Sequence, residues 1–201
     1  MDVALQVADR LVALCLIVTI QGVAIAAAAD ALARPGVARH PRRSLNPLSH
    51  LDVVGGLCFV VFGYGWGRPV PLDDANARGG RLGRVSAALA GLGAVVLLAV
   101  AAELLRRLLL SWTGEGAAMQ TIALCETIST LSLAFVLINL IPLPPLTGGH
   151  FLAALAPAAE PLSKRYRTVL MTLIAAFVIS GMASLVFLPV YRPLARRLLG
   201  V

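Results

Sequence analysis

The chain has 201 residues, of which 59% are hydrophobic and 13% charged, with a formal charge of +7 and a mean hydropathy of +0.87. A soluble domain of this size carries about 25% charged residues, so the deficit excludes an ordinary water-soluble globule and places the chain in a lipid bilayer. The basic residues sit between apolar runs and not along one face, which fits the positive flanks of membrane segments and argues against a nucleic-acid partner.

The first apolar segment covers residues 5–32, interrupted early by Asp9 and Arg10. Its core, residues 11–29, is long enough to span at about 1.5 Å per residue. It follows no basic region and no small-residue cleavage site, so it reads as a retained span. A polar loop with Arg34, Pro35, Arg39, His40, Arg42 and Arg43 comes next.

Residues 51–70 are apolar but broken by Gly55, Gly56, Gly63, Gly65, Gly67 and Pro69. That glycine density opposes a straight spanning helix. A re-entrant or interfacial hairpin buried against protein is expected, because irregular backbone cannot face lipid; a further span is the alternative. Later spans are expected at residues 85–109, 122–141 and 169–190, ahead of a tail with Arg192, Arg196 and Arg197. The predicted fold is an all-α polytopic membrane protein, one domain over residues 1–201. It has about four transmembrane helices plus the Gly-rich hairpin.

Arginines set the expected orientation. Arg34, Arg39, Arg42, Arg43, Arg68, Arg78, Arg81 and Arg84 place the loops between residues 32 and 85 in the cytoplasm. The loop with Lys164, Arg165 and Arg167 falls on the same side and the termini opposite, against which the tail's three arginines count. Cys15, Cys58 and Cys125 lie in separate apolar stretches without C-x-x-C spacing and are expected to pack as small apolar residues.

Four polar residues stand inside or near the ends of apolar runs: Gln21, Glu103, Glu126 and Asn139. Such groups are functional candidates by default. Glu103, one turn before Arg106 and Arg107, reads as an interfacial ion pair. Glu126 either reaches headgroups or has a role within the membrane. Gly22, Ala24, Ala26 and Ala28 follow the small-xxx-small spacing that lets membrane helices approach closely, although alanine is abundant throughout.

The most specific motif is Asn139-Leu140-Ile141-Pro142-Leu143-Pro144-Pro145-Leu146-Thr147-Gly148-Gly149. It resembles the N-x-x-P-x-P-x-L-D-G-G signature of the site-2 protease family of intramembrane zinc metalloproteases. Ser44-Leu45-Asn46-Pro47-Leu48-Ser49-His50-Leu51-Asp52 is similar to that family's S/T-L-N-P-x-x-H-x-D stretch. The segment from Phe62 to Pro71 resembles its F-G-W-A-K-P-V-P segment. The family carries H-E-x-x-H in the first helix, two histidines binding zinc and the glutamate acting as base. Counting back from Asn46 by the family's spacing puts Gln21 and Ile25 at the histidines and Gly22 at the glutamate. Thr147 stands at the third ligand, an aspartate. The family's A-G-P-x-x-N motif is reduced to Ala90-Gly91.

The resemblance therefore implies a scaffold whose zinc ligands and base have been replaced. Zinc is held by His, Cys or carboxylate. Without it, bound water keeps a pKa near the bulk value of about 15.7 instead of about 7, and a missing base costs roughly 10² to 10⁴ in rate. The expectation is a catalytically inactive homologue without zinc, an accessory subunit among other membrane proteins in the bacterial cytoplasmic (inner) membrane. A non-cleaving binder of single-span proteins is one alternative. An active metalloprotease with an unrecognised metal site is another, and His40, His50 and His150 are the residues from which a relocated site could be built.

Overall fold

The computed structural model describes residues 3–37, 40 and 43–200; Arg39 and Arg42, used above for orientation, lie outside them. Nine α-helices are present among the described residues, with no strand longer than an isolated bridge. Three are long and apolar enough to cross a membrane: α1 (Val3–Ala31), α4 (Arg81–Ala117, apolar through Trp112) and α5 (Met119–Asn139). The chain is a multi-pass, all-helical membrane protein.

α1, α4 and α5 pack as a bundle around Ile17, Val18, Val95 and Phe135, with Phe59 inserted from the hairpin. The Phe59 and Phe135 rings meet edge-on, with centroids 6.2 Å apart. Leucines such as Leu97 and Leu104 point outward, as expected where the surrounding solvent is hydrocarbon.

The Gly-rich segment does not span. α2 (Pro47–His50) begins with Asn46 as its cap, the side chain accepting from Leu48 N at 3.0 Å, and with Pro47 at its first position. Asp52 caps α3 (Val53–Phe62) in the same way, accepting from Gly55 N at 2.9 Å. α3 has 10 residues, about 15 Å of helix, half the hydrocarbon thickness. The chain then turns at Gly63 and comes back beside its starting point, where Leu51 bridges Gly67 and Arg68 N donates to His50 O at 2.7 Å. The glycine content now has a cause: a Cβ on Gly55 would stand 2.2 Å from Trp66 O, and one on Gly65 would stand 2.1 Å from Gly55 O. Only bare backbones let the returning chain lie this close to the helix. Arg10 of α1 donates to Val60 O at 2.7 Å and to Val61 O at 3.1 Å, satisfying carbonyls at the helix end that bilayer cannot.

After α5 the chain runs through the prolines to α6 (Gly149–Leu155), a 3₁₀ turn (Pro157–Ala159) and α7 (Glu160–Arg165). The span expected at residues 169–190 needs correction. It is two helices, α8 (Arg167–Ile179) and α9 (Met182–Leu198), bent by 72°. Gly181, at φ 78°, holds the left-handed conformation that breaks the run. Counted as one broken span, the pair makes a fourth crossing. The last turn of α9 docks on α4 and α5 through Leu199, Ala99 and Leu133. Arg107 of α4 donates to the Leu199 carbonyl. Arg106 and Arg107 also grip the buried Glu103 at 2.8–2.9 Å.

Candidate functional site

Gln21, Gly22 and Ile25 lie on one buried face of α1. Asn139, the last residue of α5, shapes the proline-rich turn that meets this face. Its amide donates to Phe135 O (2.9 Å) and Gly65 O (3.1 Å), and its own backbone O accepts from Gly148 N at 2.7 Å. The turn through Pro142, Pro144 and Pro145 thus folds back on the helix end. Thr147 is carried against α1, where Gln21 Nε2 donates to Thr147 Oγ1 at 2.9 Å in a buried bond. Thr147 N and Oγ1 lie 3.4 Å from Asn139 Oδ1. Residues 126 positions apart therefore share one closed polar chain.

The neighbouring positions are filled by other side chains. A Cβ on Gly22 would stand 2.0 Å from His50 Nδ1, so the imidazole occupies the space a side chain at position 22 would take. His50 Nε2 lies 2.8 Å from Ser44 O, which fixes the ring. Ile25 packs on α4, where a Cβ on Gly91 would come within 2.3 Å of Ile25 Cγ1. Between Gln21, Ile25, Thr147 and His150 remains a void of about 10 Å³, the volume of roughly one water.

Beside this seam opens a cleft of about 610 Å³ that shares Val70, Leu146 and His150 with it as walls. Arg68, Arg84, Arg167, Asp52 and Glu160 supply its charges. Arg84 is 7% exposed and bridges Asp74 (2.7 Å) and Glu160 (3.3 Å). The burial of His150, helped by the Arg84 guanidinium, lowers its pKa from 6.5 to about 4, against the upward pull of a backbone bond with Val70 and of Glu160 and Asp74.

The other residues singled out in the sequence lie elsewhere. Asn46 and Pro47 sit at the exposed start of α2, Ala24 and Ala28 are half-buried on α1, Ala26 is buried, and Glu126 is exposed on α5. His40 belongs to another pocket, with Nε2 2.9 Å from Pro71 O. Among the described residues no three His, Cys, Asp or Glu side chains come together as a metal-binding group. Arg84 was missed as a site residue: its partner Glu160 lies 76 positions away, and no sequence spacing links them.

The site is thus built from a bundle of apolar spans, a re-entrant hairpin and a proline-rich turn packed against the first helix. The profile of Peptidase family M50 matches residues 12–181, and the chain belongs to that family. It is 34% identical over 119 residues to a Bacillus subtilis (strain 168) protein named "Putative zinc metalloprotease YwhC". That alignment covers 58% of this chain and 54% of YwhC, so the chain spans about half of that relative's length. No solved structure matches the chain.

Proposed function

We propose that this member of the family is a catalytically inactive pseudoprotease, serving as a structural, accessory subunit of a larger complex in the bacterial cytoplasmic membrane. The observation that carries the reading is the buried 2.9 Å bond from Gln21 to Thr147. An amide and a hydroxyl, already bonded to each other, stand at two positions the family resemblance gives to zinc ligands. Ile25, at the third, offers only an alkyl group. These groups do not fit zinc, which takes imidazole, thiolate or carboxylate. At the position of the base, Gly22 has no side chain and His50 fills the space. Water there has no carboxylate at position 22 to take its proton and no ligand set that fits a metal to lower its pKa. The partners in this reading are other membrane subunits and the bilayer, with no nucleic acid.

The test is elemental analysis of the protein purified in mild detergent, joined to identification of what co-purifies. The expected result is well under one zinc per chain with stoichiometric membrane partners. One tightly bound zinc per chain would restore the reading as an active metalloprotease, the activity named for YwhC. A second reading, a non-cleaving binder of single-span proteins, is favoured by the cleft of about 610 Å³ beside Pro144 and Pro145. It predicts transient clients captured by crosslinking, where the first predicts fixed stoichiometry.

A further inference from the structure

We propose that the cleft beside the proline-rich turn binds the phosphate headgroup of an anionic glycerophospholipid. This goes beyond the reading above and does not depend on whether the chain is an enzyme. At about 610 Å³, the cleft lies within the range of about 300–1,000 Å³ of small-molecule sites. Its position is a membrane boundary: Arg84 is in the first turn of α4, Pro144 and Pro145 follow the end of α5, and Arg167 opens α8. Three apolar helices begin or end around it, at the depth where headgroups meet acyl chains.

Charge selects the ligand. The Arg84 cation is already answered by two carboxylates, Asp74 and Glu160, and the Asp52 carboxylate caps α3. Arg68 and Arg167 remain. Both are exposed, both line the cleft, and neither guanidinium has a hydrogen-bond or ion-pair partner among the described residues. Planar guanidinium forks match phosphate oxygens, and the pairs are strong where water is scarce. Val70, Leu146 and Ala153 give the same cleft an apolar wall suited to the glycerol and the first acyl carbons. A soluble anion would leave that wall uncovered, and an uncharged lipid would leave both guanidinium groups unanswered.

Protein purified in maltoside micelles is titrated with dioleoyl phosphatidylglycerol, dioleoyl phosphatidylcholine or free glycerol phosphate, with native mass spectrometry counting retained ligand. Phosphatidylglycerol is expected to be retained at one molecule per chain, more tightly than the other two. Arg68→Gln/Arg167→Gln is expected to weaken it by about tenfold or more with an unchanged unfolding temperature, since both side chains are exposed. The triple change Arg192→Gln/Arg196→Gln/Arg197→Gln on α9 is expected to leave it intact. Equal retention of phosphatidylcholine, free glycerol phosphate as strong as the lipid, an acidic peptide that displaces the lipid equally well, or an unaffected Arg68/Arg167 variant would each overturn the proposal.

Discussion

Two neighbouring regions share walls and have opposite characters. The seam between α1 and the proline-rich turn is shut: Gln21 meets Thr147, His50 fills the space beside Gly22, and about 10 Å³ is left. The cleft behind Leu146 and His150 is open at about 610 Å³ and is lined by Arg68 and Arg167, whose guanidinium groups have no partner among the described residues. The seam closes because His50 takes up the space beside Gly22 and Ile25 packs against Gly91, as close packing requires. The cleft stays open because its charged rim would lose hydration on collapse. Packing thus closes one region while hydrated charge keeps its neighbour open.

The comparison breaks most forcefully at Gly22. Gly22→Glu places a side chain into the His50 ring, and overpacking joined to a buried carboxylate is expected to cost about 3 kcal/mol or more. Thermal unfolding in detergent reads this, and His50→Ala in the same chain is expected to recover part of the loss. If Gly22→Glu leaves the unfolding temperature unchanged, the seam is not closed by packing.

A somewhat smaller effect appears on the cleft side and depends on pH. The folded pKa of His150, about 4, lies below its ordinary 6.5, so the unfolded chain takes up the proton first as pH falls. The stability contribution is complete above about pH 6.5 and declines toward pH 4, by about 3 kcal/mol at most. His150→Gln is expected to flatten that acid limb. Arg84→Met is expected to raise the His150 pKa, because it removes a nearby positive charge, so the limb becomes smaller and its lower end moves to higher pH; an unchanged limb would deny that the cleft charges act on this ring.

The smallest effect separates the polar bond from its surroundings. Gln21→Leu and Thr147→Val, alone and together, form a cycle in which the coupling is expected to be about 1 kcal/mol. Thermal unfolding of the four proteins measures it, and a coupling near zero would mean the two side chains are neighbours without being partners.

Long apolar runs made α1, α4 and α5 legible, since a bilayer demands about 20 such residues whatever the packing. The glycines of residues 51–70 signalled a hairpin for the right reason, the close return of Trp66 over Gly55. The break at Gly181 was not legible, because one glycine in an apolar run reads the same whether it packs a helix or ends it. At the site, nothing but motif order linked Gln21 to Thr147. The contacts of His50 with Gly22 and of Arg84 with Glu160 come from tertiary packing of distant segments and leave no periodic trace.

Arg107 holds Glu103 and the Leu199 carbonyl at once, so the last turn of α9 is moored to the C-terminal half of α4. At its other end α8 rests on the hairpin helix α3. The bent pair is therefore a strut with two fixed footings. It cannot straighten at Gly181 unless one footing lets go, and a pull on the tail would travel straight into the bundle.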